Sequence, residues 1–146
     1  MKKRELVLVE TLKKVKDLRE KGYEGYAEKV RDSLTVKRNM IEFSSWDKSL
    51  ERAFNLIWDC IDNDAPIDYL ETYLIDCMYV EEADLIDADK SGIMETDPDY
   101  FFTTRGYVYA YGEVLAILQS VREKWTLKSW DLITTLETIG QSELPL

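Results

Sequence analysis

Histidine is absent from all 146 residues. That excludes Ser-His-Asp and Cys-His catalysis, histidine-ligated zinc or haem, and a histidine general base. Cysteine is nearly absent: Cys60 and Cys77 cannot build a four-cysteine zinc site. Each sits in an apolar pattern and reads as a reduced, buried small hydrophobe, although the count also allows one disulfide. Acids stand beside both thiols in "WDCID" and "IDCMY", which argues against a reactive thiolate. Glycine and proline are scarce, and no Asn-Gly or Asp-Gly hairpin signal occurs. No apolar run approaches the roughly 18 residues of a membrane span. The early run Leu6–Val9 is shorter than the apolar core of about 7–15 residues in a signal peptide. A cytoplasmic protein without membrane association is therefore expected.

Base is missing from the middle of the chain. Residues 1–58 carry a net +4, residues 59–99 a net −13 with Lys90 as the single base, and residues 100–146 a net −1. The whole imbalance of −10 thus lies in one section. Such a block repels itself and attracts cations or basic surfaces. Direct nucleic-acid binding is not expected, because phosphate affinity needs clustered Lys and Arg. A solvated acidic face that aids solubility is the simplest use of the block.

What remains is helical periodicity. Leu8, Leu12, Val15 and Leu18 form one stripe over residues 3–20, and "EKGYEG" is expected to end that helix. A second pattern runs from Tyr26 to Phe43 with a break near Thr35. "SSWDKSLERAFNLIWDCID" is the clearest amphipathic helix, with Trp46, Leu50, Ala53, Phe54, Ile57, Trp58 and Ile61 inward and Ser44 or Ser45 as cap. "DNDAP" stops it, and Pro66 opens the next helix, through Leu70, Leu74, Cys77 and Met78 toward Leu85. Asp97 and Pro98 open another, with Tyr107, Tyr111, Val114, Leu115, Leu118 and Val121 on helical spacing. Gly106 and Gly112 within it suit a close helix crossing. The alternation of Tyr107, Tyr109 and Tyr111 also allows a strand, but no partner strand is evident. A last helix spans 126–139 with Leu127, Trp130, Ile133 and Leu136 inward. The expectation is an all-α single-domain bundle over residues 1–139, of about five to seven antiparallel helices with a buried, aromatic-rich C-terminal helix, and a flexible tail over 140–146.

Three segments are candidate sites. "DADKSGIMETDPD" matches a calcium loop at Asp87, Asp89, Ser91, the Ile93 carbonyl and Glu95, with Gly92 at the turn. Position 12, which should bring a bidentate Glu, is Pro98, so the segment reads equally as a connection in which Asp97 caps the next helix. Asp59 and Asp62, then Glu81, Glu82 and Asp84, have spacing that could gather carboxylates on Mg²⁺. MazG-like all-helical pyrophosphohydrolases carry E-E-x-x-E followed by E-x-x-D. Here Leu85 stands where the third Glu belongs, so the element is unmatched. The aromatic run Tyr107, Tyr109 and Tyr111 is either core or an interface, including a homodimer interface. The leading expectation is a non-enzymatic interaction protein without a resident cofactor. Asp62, Asp64, Asp68, Glu81, Glu82 and Asp84 would meet a basic protein surface, such as one that otherwise binds nucleic acid. A Mg²⁺-dependent nucleotide phosphohydrolase and a Ca²⁺-binding helical protein are the alternatives.

Overall fold

The computed structural model describes residues 2–29 and 36–143, with side chains over 2–22 and 40–127. Its elements are α1 (Lys3–Lys29), α2 (Val36–Asp62), α3 (Ile67–Lys90), the single turn α4 (Ile93–Thr96) and α5 (Pro98–Glu143). The chain is an all-α bundle with no strand among the described residues, and α5 packs against the other helices. Residues 30–35, including the break expected near Thr35, and residues 144–146 of the tail lie outside the described residues. The rest of that tail, 140–143, forms the last turn of α5.

Three expected boundaries are absent. α1 does not stop at "EKGYEG" but runs on to Lys29. Gly22 serves packing instead: a Cβ there would lie 2.2 Å from the Trp46 ring on α2. Ser44 and Ser45 do not cap a helix, because α2 begins at Val36 and passes through both. Ser45 is buried, and its hydroxyl donates to the Glu42 carbonyl. The two C-terminal helices are one helix of 46 residues, about 69 Å long at 1.5 Å per residue. "DNDAP" does stop α2, where Asp64 takes a left-handed φ of 53° and Pro66 precedes α3.

The core follows the sequence stripes. Val7, Leu8, Leu12 and Val15 of α1 meet Leu50, Ala53, Ile57 and Cys60 of α2, Leu70 and Leu74 of α3, and Ala110 to Val121 of α5. Trp58 and Leu127 are exceptions, expected inward but 45% and 56% exposed, and the Trp130, Ile133 and Leu136 side chains expected beside Leu127 lie outside the described residues. Chain directions follow from the cross-helix contacts. Arg19 pairs with Asp47 and Arg4 bonds the Cys60 carbonyl, so α1 and α2 are antiparallel. Asp84 meets Tyr100 while Asp68 meets Arg122, so α3 and α5 are antiparallel. α2 and α5 run the same way: Glu42 pairs with Arg105, and Trp46 donates to Glu113. This parallel pair forms the centre, with α1 against both helices and α3 packed mainly on α5.

Small residues permit that central contact. Ser45, Ser49 and Ala53 recur every four residues on α2, as do Gly106, Ala110 and Val114 on α5, and all six are buried. Rows at this spacing are the ridges that interlock when two helices pack closely. A Cβ on Gly106 would lie 1.8 Å from the Ser45 hydroxyl and 2.5 Å from the Glu42 carbonyl oxygen. Gly112 is different, since its nearest neighbour would be the Met78 sulfur at 3.7 Å, an ordinary contact.

Candidate functional site

The acidic section occupies the end of α2, the turn after it, α3 and α4. α3 alone has eight acids and Lys90, a net −7. Its expected docking residues do not form one cluster. Asp62, Asp64 and Asp68 gather at the α2–α3 corner, and Glu81, Glu82 and Asp84 lie near the other end of α3. From Asp68 to Asp84 the helix rises about 24 Å.

Several of these acids have partners inside the fold. Asp64 lies 3.3 Å from Arg4, and Asp68 shares Arg122 with Glu71. The Asp64 and Asp68 side chains remain 91% and 82% exposed, so their pairs stay largely solvated and leave both carboxylates open to a second cation. Asp84 accepts the Tyr100 hydroxyl, a bond that raises the pKa of that phenol. Glu81 is half-buried, and burial raises its pKa, with Asp84 adding to the shift and Arg52 opposing it.

Asp87 and Asp89 lie in the last turn of α3 rather than in a loop. Ser91 caps that helix and its hydroxyl donates to the Ala88 carbonyl. Gly92 turns the chain with φ 74°, and Glu95 belongs to α4. Asp97 accepts the Tyr100 N–H at 3.3 Å, the capping contact expected when the segment is a connection. Among the described residues no three His, Cys, Asp or Glu side chains are grouped to hold a metal ion.

Tyr107, Tyr109 and Tyr111 are helical and point to different surroundings. Tyr111 is 7% exposed, Tyr107 packs against the core, and Tyr109 is 48% exposed with the Arg105 guanidinium 5.9 Å from its ring centre. Both cysteines are free thiols. Burial raises the Cys60 pKa against the pull of nearby Arg4, so desolvation rather than the flanking acids is the cause. Burial also leads for Cys77, and Glu81 and Asp76 add to it.

The feature that sequence reasoning missed is the outward face of α3. Tyr69 is 75% exposed, Val80 66%, Tyr79 61%, Tyr73 49% and Ile86 45%. Asp68, Tyr69, Thr72, Tyr73 and Asp76 line a surface depression of about 430 Å³. The signal lay in α3 itself. Leu70 and Leu74 already provide an inward stripe, so the tyrosines and Val80 have no core left to enter.

No protein family, characterised protein or solved structure in the comparisons matches this chain. Among the described residues, no helix is long and apolar enough to cross a membrane.

Proposed function

We propose that this chain is a cytoplasmic interaction protein that docks the basic surface of a protein partner through its acidic section, centred on α3. One observation carries the reading: α3 exposes large apolar side chains, Tyr69, Tyr79 and Val80 foremost, on a helix of net −7. Exposed aromatic side chains supply contact energy when desolvated, while the acids speed encounter with a cationic surface and repel anionic ones. Asp62, Asp64, Asp68, Glu81, Glu82 and Asp84 provide the field around that face.

The test is co-purification with the full chain from the source organism at low and high salt, beside a variant with those six acids changed to Asn or Gln. The expected result is a basic partner held at low salt, released at high salt and lost from the variant. A partner held equally by the variant at low salt would sink the reading.

A further inference from the structure

The outward residues of α3 have a register of their own. Tyr69, Tyr73, Asp76, Val80, Ala83 and Asp87 follow one another at steps of 4, 3, 4, 3 and 4, and all six are exposed. That alternation is the 3.5-residue repeat by which one helix seats another along a seam. Tyr69, Tyr73 and Val80 make the apolar part, and the seam runs about 27 Å from Tyr69 to Asp87.

We propose that this seam receives a basic amphipathic helix of a partner protein, about five turns long, with a Lys or Arg set against Asp76. The proposal rests on the docking reading above and names the form of the partner. Charge decides against a second copy of this chain, because pairing α3 with itself would bring two helices of net −7 together. Asp76 lies within the seam between Tyr73 and Val80, and beside Tyr73 in the 430 Å³ depression. A carboxylate covered by an uncharged helix would lose its water without recompense, so the facing position calls for a cation. A polar residue set between apolar ones, as Asp76 is between Tyr73 and Val80, also fixes the register of the pair.

The experiment uses the full chain and two synthetic 21-residue peptides of identical composition. One places Leu and Ala at heptad positions with Arg opposite Asp76 and Lys on its flanks, and the other is a scrambled isomer with no seam. Binding is read by fluorescence anisotropy at fixed ionic strength, and circular dichroism checks that each variant of the chain is folded. The heptad peptide is expected to bind at least tenfold more tightly than its isomer. Val80→Ser should remove that preference. Asp76→Lys should abolish binding and recover it when the peptide's facing Arg becomes Glu. Equal, salt-sensitive affinity for both peptides would overturn the helix seam while leaving a basic docking partner standing. No binding of either peptide at low salt would overturn both. A chain that sediments alone as a dimer, and as a monomer after Val80→Ser, would overturn the proposal in favour of self-association.

Discussion

Gly106 and Gly112 are six residues apart on α5, and the same substitution should move stability in opposite directions. In Gly106→Ala the new methyl meets the Ser45 hydroxyl and the Glu42 carbonyl, and one of these contacts is backbone. Overpacking of this kind costs about 1–3 kcal/mol, more than the roughly 1 kcal/mol gained in helix propensity. Gly112→Ala meets only the Met78 sulfur at an ordinary distance and should gain most of that propensity. Urea unfolding of the two variants checks the pair, and a stabilised Gly106→Ala would contradict the close α2–α5 crossing. Glu113, on the same helix, is half-buried. Burial raises its pKa, and its bond from the Trp46 indole opposes the shift without cancelling it. The folded chain therefore holds this proton at pH values where the unfolded chain has released it. The group costs stability as pH rises from the unfolded value to the raised folded one, and the full cost persists above that window. Glu113→Gln, whose amide oxygen can still accept the indole N–H, should raise the thermal midpoint at pH 7. The gain should shrink near pH 4, and an equal gain at both values would exclude titration as its cause.

The elements are tied at their ends by side chains from elsewhere. Arg4 of α1 donates to the Ala65 carbonyl at 2.8 Å and to the Cys60 carbonyl at 2.5 Å, closing the last turn of α2. A cation at a helix C-terminus also suits the helix dipole. Arg4→Ala should cost about 2 kcal/mol in chemical denaturation, as expected for hydrogen bonds from a charged donor. Asp64→Asn should cost much less, because that carboxylate is solvated. A similar loss from both would mean that the ion pair, rather than the carbonyl contacts, holds the corner. Element type was legible in the sequence because the inward stripes of α1, α2 and α5 repeat at helical spacing. Boundaries were less so. Gly22 and Gly25 look like a stop, yet Gly22 makes room for Trp46, a residue 24 positions away. Ser45 looks like a cap, yet it is the small residue that Gly106 needs opposite it. Each of these residues answers to a neighbour on another helix, which local pattern does not reveal. The acidic section was plain from composition, but its distribution was not. Only the packing shows that Asp68 meets Arg122 and Asp84 meets Tyr100, while Tyr69 and Val80 are left in solvent.

For the whole molecule, charge is the organising quantity. The first 58 residues are net basic, and Arg4 and Arg19 of α1 are spent on ion pairs with acids of the α2–α3 corner and of α2. The middle section keeps a large surplus of acid, so its self-repulsion should weaken the folded state at low ionic strength. Raising a monovalent salt from 10 to about 150 mM shortens the screening length from about 30 to 8 Å. The thermal midpoint should rise over that range, whereas a fall would show that screened ion pairs outweigh the repulsion. The same surplus, set beside exposed tyrosines on α3, is what a basic partner would meet. The most direct test is to map that contact by ¹⁵N chemical-shift changes in the full chain, titrated with the basic heptad peptide. Shifts should concentrate at residues 69–87 of α3, with α1 and the Tyr109 face of α5 unmoved. Shifts centred on another helix, or spread evenly over the acidic residues without favouring the outward seam, would contradict docking along it.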